Sequence, residues 1–285
     1  MLEILLVAVY VLPVISAANL VDKGSRFSPL LTILTLGLVN ISGLWRLCAV
    51  AVRRLSFAEA PTFDPSKPVH RTAAFLMILG FLLISMQFLT EDLASEGESL
   101  AITLSEARAD LVGTGALHLA AAFMGAGWLM RRPLPAALRR LCLRRPTRRE
   151  AAISIAVGVS LWMLSTAALE VWEQAVPADV FKQQTDSARQ FYQAFSGSLV
   201  SALLLAVVPA VSEEIFYRGA LQPVFGLFLT SLFFSAVHVQ YGLTPALLIL
   251  FAVSLGFAGL RLRFHTSAAI IAHAVFNFLP YLAGA

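Results

Sequence analysis

The chain has 285 residues, 58% of them hydrophobic and 13% charged, with a mean hydropathy of +0.79. Soluble domains carry about 25% charged residues, so the composition excludes an ordinary water-soluble protein. The net charge of +4 does not mark a nucleic-acid binder, because the basic residues bunch in short loops between apolar runs, as the positive-inside rule expects.

A bilayer crossing needs about 20 apolar residues. Nine runs approach that length, at about 2–20, 29–48, 72–90, 110–130, 151–171, 197–217, 225–241, 244–261 and 266–283. The expected fold is therefore all-α, a polytopic membrane helix bundle of about nine transmembrane helices. The first run resembles a secretory signal in length. It lacks a basic leader and carries Glu3, which favours a retained helix.

Orientation follows from the loops. Residues 131–149 contain eight arginines and no acid, and Arg53, Arg54, Lys67 and Arg71 fall on the same side. Both loops are expected in the cytoplasm. The stretch from Glu91 to Asp110 is acidic and expected outside, while Arg261 and Arg263 return to the basic side. The N-terminus is then cytoplasmic and the C-terminus external. An Arg-rich, Lys-poor chain of this kind fits a bacterial inner membrane.

The basic loop has a second reading, as a patch for anionic lipid or nucleic acid; topology is the simpler one, and no nucleic-acid partner is expected. Pro133, Pro135 and Pro146 argue against one long helix there. The loop can also divide the chain. Cys48 and Cys142 are far apart without metal spacing, so neither a disulfide framework nor a zinc knuckle is expected. His118 stands alone inside the fourth run and reads as hydrogen-bonded packing. The segment 172–198 is polar and aromatic-rich, suited to an external surface helix with Trp172, Phe191 and Tyr192 in the interfacial belt.

The last third carries chemistry. Glu213 and Glu214 end an apolar run, and a charge near the bilayer centre costs roughly 2.5–3.5 kcal/mol. Adjacent acids there call for a function. Glu214 and Arg218 are four apart and can pair on one helix face. Glu213 points about 100° away, free of that pair, as a general base would be. Pro209, one turn earlier, frees a carbonyl and makes room for water. His238 follows in the seventh run, and His273 and Asn277 share a face of the ninth. An acid, two imidazoles and an amide suffice for acid–base hydrolysis with an oxyanion site. At about 1.5 Å per residue, Glu213 and His273 fall at similar depth in the cytoplasmic half, whereas His238 comes out deeper.

Neither HExxH nor GxSxG occurs, which sets aside an ordinary zincin and a rhomboid-like serine protease. A transporter is the competing class, and so is a non-enzymatic immunity scaffold. All the buried acids lie in one place, and no repeat of the motif appears in an earlier half, as inverted-repeat transporters often show.

Three ordered motifs, Glu213-Glu214-x-x-x-Arg218, Phe234-x-x-x-His238 and His273-x-x-x-Asn277, resemble the CAAX-protease and bacteriocin-processing (CPBP) family of intramembrane endopeptidases. That family includes the type II CAAX prenyl endopeptidases. The resemblance covers about 195–282. It implies an intramembrane protease, a peptide hydrolase in which Glu213 activates water and His238 assists proton transfer. His273 and Asn277 would stabilise the oxyanion, with Glu214 and Arg218 orienting the site. The family is often called metalloprotease, and a zinc held by Glu213, His238 and His273 is the other mechanism it leaves open; the amide of Asn277 suits an oxyanion better than zinc. The expected partners are a membrane-associated protein or peptide substrate and the lipid bilayer. The expected division is 1–190, membrane helices of unassigned role, and 191–285, a catalytic helix bundle.

Overall fold

A computed structural model describes residues 104–238, 241 and 244–284, with isolated positions between 64 and 80. The runs expected over 2–20 and 29–48 and most of 72–90 lie outside the described residues, as does Cys48. The chain divides into two compact units, with Asp64–Leu82 in one and Leu83–Ala285 in the other. In the first, positions 70, 74, 77 and 80 are helical, and the Asp64 N–H donates to His70 Nδ1 at 2.9 Å.

The second unit is helical throughout its described elements. They are α1 (Leu104–Gly125), α2 (Leu134–Arg140), α3 (Arg148–Ala175), α4 (Ala178–Ser196), α5 (Leu199–Glu213), a π-helical segment (Glu214–Leu221), α6 (Gln222–Ala236), α7 (Pro245–Arg263) and α8 (Thr266–Ala283). Among the described residues, four helices are long and apolar enough to cross a membrane: Arg148–Ala175, Leu199–Ala236, Pro245–Arg263 and Thr266–Ala283. The expected junction at 190/191 falls inside α4.

Local chemistry sets the helix starts. Thr147 opens α3 with a capping box, accepting from the Glu150 N–H while the Glu150 carboxylate accepts from its own. Ser198 and Thr244 cap α5 and α7, and Pro245 occupies the first turn of α7. His265 caps α8 with Nδ1, accepting from the Ala268 N–H at 3.2 Å.

The sixth and seventh runs differ from expectation. They form one continuous 38-residue path, Leu199–Ala236, which at about 1.5 Å per residue would be nearly twice a hydrocarbon core. Two irregularities resolve the excess. The π-helical segment widens the turn directly after Glu213. Gly226 then breaks the helix at φ 79°, ψ 172°, a conformation essentially restricted to glycine. The stretch beyond it, 227–236, rises only about 15 Å. The expected seventh crossing is therefore a half-length helix.

The basic loop is also more than a topology signal. Ala137 and Leu141 are fully buried and pack with Ile215 of the π segment. Thr266 ties its Oγ1 to the Leu141 carbonyl at 2.7 Å and its N–H to the Cys142 carbonyl at 3.2 Å. The segment stitches the π turn to the start of α8.

The amphipathic α4 turns its aromatic residues inward. Trp172 is buried and meets Phe181 edge-on, and Phe191 and Tyr192 pack against Phe195, Ala107 and Leu205. Trp172 is buried, whereas Phe191 and Tyr192 are half-buried against that cluster.

Candidate active site

Glu214 is the anchor of the site. Its Oε2 lies 3.1 Å from Arg218 Nε, with both side chains fully buried, and its Oε1 meets His273 Nδ1 at 2.9 Å. Burying two ions costs several kcal/mol each unless their remaining groups are satisfied. Arg218 has further partners: Nη2 donates to Ser254 Oγ at 2.9 Å and to the Ser254 carbonyl at 3.2 Å. Its guanidinium also lies over the Phe234 ring at 4.4 Å. Four elements thus meet at one ion pair: the π segment, α6, α7 and α8.

Glu213 occupies the last α-helical position before the π turn. Among the described residues it makes no hydrogen bond or ion pair, yet it lies within electrostatic reach of His273, Glu214 and Arg218. One carboxylate of the pair is locked and its neighbour is unengaged.

Phe234 explains its spacing to His238. Its carbonyl is left without a helical donor at the end of α6, and His238 Nδ1 takes it at 2.7 Å. The Phe234 ring, 1% exposed, meets His238 at 4.7 Å and His273 at 6.2 Å between centroids. His238 therefore sits just past the end of α6, which is broken at Gly226.

His273 is stacked on Phe257 at 4.8 Å and 15°. Its backbone is held by a close approach of α3: a Cβ on Gly158 would come within 2.5 Å of the Ala272 carbonyl. Small residues let membrane helices approach in this way. Asn277 is partly engaged. Pro209 has no N–H, so the Leu205 carbonyl lacks its helical donor, and Asn277 Nδ2 reaches that oxygen at 3.5 Å.

His118 packs against aromatic rings. It stacks on Phe216 at 4.9 Å, and its Nδ1 has no hydrogen-bond partner. Sequence reasoning missed Ser254 and Phe257, which carry no motif signal. It also missed Gly158, whose role needs the partner helix to be known.

The metal alternative can be tested on geometry. Among the described residues, no three His, Cys, Asp or Glu side chains are grouped to hold a metal ion. Glu213, His238 and His273 do not form such a set.

Fold and site define a class: an integral membrane helix bundle with a buried carboxylate–imidazole–guanidinium network beside an unengaged carboxylate. Residues 195–279 match the model of the family described as Rce1-like, type II CAAX prenyl endopeptidase Rce1-like. The match is to the family the three motifs resemble, and it contains every residue of the site. No curated protein and no solved structure matches the chain.

Proposed function

We propose that the protein is an intramembrane endopeptidase that hydrolyses a peptide bond of a membrane-associated protein or peptide, with Glu213 as general base. The observation that carries this is the asymmetry of the two acids: Glu214 is held by Arg218 and His273, while Glu213 is left unengaged beside them. The match over 195–279 supports the protease class.

In this reading Glu213 takes a proton from water, and the resulting hydroxide attacks the carbonyl carbon of the scissile bond. The oxyanion that forms needs donors. His273 donates Nδ1–H to Glu214, so it can donate to an oxyanion only with Nε2 protonated as well. Glu214 is the counter-charge for that imidazolium. The ionised set of Glu213, Glu214, Arg218 and His273 then sums to zero, which is what a low-dielectric site tolerates. Asn277 retains a second N–H for the same oxygen. His238 donates Nδ1–H to the Phe234 carbonyl, which leaves Nε2 as an acceptor; it takes up the proton that Glu213 removed from water and passes it to the leaving amine, whose departure breaks the C–N bond. The arginine distribution argues for an inner membrane with a cytoplasmic N-terminus.

The test is Glu213→Gln in proteoliposomes carrying a fluorogenic membrane-anchored peptide. Loss of a general base costs roughly 10²–10⁴ in rate, with an unchanged melting profile. Full turnover by that variant would end the reading. Cleavage should also survive exhaustive dialysis against a chelator; loss of activity restored by added zinc would return the metal mechanism.

A further inference from the structure

A second site lies at the arginine-rich end of the bundle, where α3 begins and α7 gives way to α8. A cleft of about 420 Å³ opens there, lined by Arg144, Arg149, Glu150, Ile153, Arg263 and Phe264. Its charge is unbalanced. Glu150 is spent locally: Arg144 grips both its oxygens, at 2.5 and 3.3 Å, and the Thr147 N–H donates to it at 2.7 Å. Arg149 and Arg263 have no carboxylate partner among the described residues. Arg132, Arg140 and Arg261 crowd together at the same end.

Two unmatched guanidiniums in one concave site call for an anion with several oxygens, because the planar fork of arginine matches phosphate geometry. The rest of the lining narrows the choice. Ile153 and Phe264 are apolar, and the cleft sits at the ends of helices that are apolar enough to cross a bilayer. Charge beside apolar surface at that level suits an amphiphile better than a free ion.

We infer that this cleft binds the phosphate of an anionic phospholipid headgroup, with Arg149 and Arg263 as its ligands and Ile153 and Phe264 against the start of the acyl chains. The site is separate from the carboxylate–imidazole network and needs no assumption about proteolysis. A bound headgroup would neutralise the end of the bundle where the basic segment meets α3 and α8.

The test titrates the purified full-length protein in detergent with short-chain phosphatidylglycerol and with phosphatidylcholine of the same chain length. Phosphatidylglycerol should bind and raise the melting temperature, and the zwitterionic lipid should do so at most weakly. Juxtamembrane arginines contribute about fivefold each in affinity for anionic lipid. The Arg149→Gln/Arg263→Gln variant should therefore bind phosphatidylglycerol roughly 25-fold more weakly, while Arg189→Gln on α4 leaves it unchanged. Arg149→Lys/Arg263→Lys, which keeps the charge, should retain most of the affinity. Equal binding of the two lipids by the wild type overturns the proposal, whatever the variants do. Undiminished binding by a folded glutamine variant does the same. Full competition by equimolar inorganic phosphate would assign the site to a free anion, and an oligonucleotide that displaces the lipid would assign it to nucleic acid; either result removes the lipid.

Discussion

The two charged regions of this bundle solve opposite problems. At the site, Glu214, Arg218 and His273 are fully or nearly fully buried, and Glu214 is answered by the Arg218 guanidinium at 3.1 Å and the His273 imidazole at 2.9 Å. At the arginine-rich end, Glu150 is the acid among several arginines, and Arg144 is half exposed. Where water is absent, each ion must be matched by protein. Where water or a headgroup is at hand, charge can be left over. The same kind of Arg–Glu contact is therefore a keystone in one place and a minor clamp in the other.

The largest expected effect breaks the first region. Arg218→Met leaves Glu214 buried without its cation, which costs about 3–5 kcal/mol and abolishes activity. Thermal unfolding in detergent should show the loss. Glu214→Gln/Arg218→Met removes both charges and should recover part of the stability without the activity. If the single and double variants melt alike, the ion pair is not what holds the site.

A smaller effect comes from packing. Gly158→Ala places a methyl group against the Ala272 carbonyl, and overpacking of this kind costs typically 1–3 kcal/mol. Because Ala272 precedes His273, turnover should fall more than substrate affinity. An unchanged kcat would show that α3 merely anchors the bundle.

His265 belongs to the arginine-rich end, 3.6 Å from Glu150, and makes that end sensitive to pH. Burial pushes its imidazole below the ordinary value of 6.5, with the neighbouring Arg144 acting in the same direction. As the cap of α8 it must be unprotonated at Nδ1. The unfolded chain then takes up a proton near pH 6.5 that the folded protein resists, so stability present above that pH declines as pH falls through the folded value. His265→Asn, which also caps a helix, should flatten the melting temperature between pH 7 and 5. The smallest effect is at the surface: Arg144→Gln should cost no more than about 1 kcal/mol.

What the sequence by itself determined was local and periodic. Apolar run length marked four helices that are now seen, and a spacing of four placed Arg218 beside Glu214. The three motifs pointed to the family matched over 195–279. Proline at 209 foretold a free carbonyl, because the missing N–H is a covalent fact. Tertiary structure decided the rest. Phe234 and His238 carried a spacing, but the half-length helix that ends there depends on Gly226, whose positive φ is a choice among conformations glycine finds equally accessible. The π turn after Glu213 leaves no pattern in the residues, since its widened hydrogen bonds are stabilised by what packs around them. Glu214 reaches His273 across 59 positions, and such a contact is set by the approach of α3, α7 and α8. The two adjacent acids were legible from the start; which one is held and which is free depended on neighbours brought in by the fold.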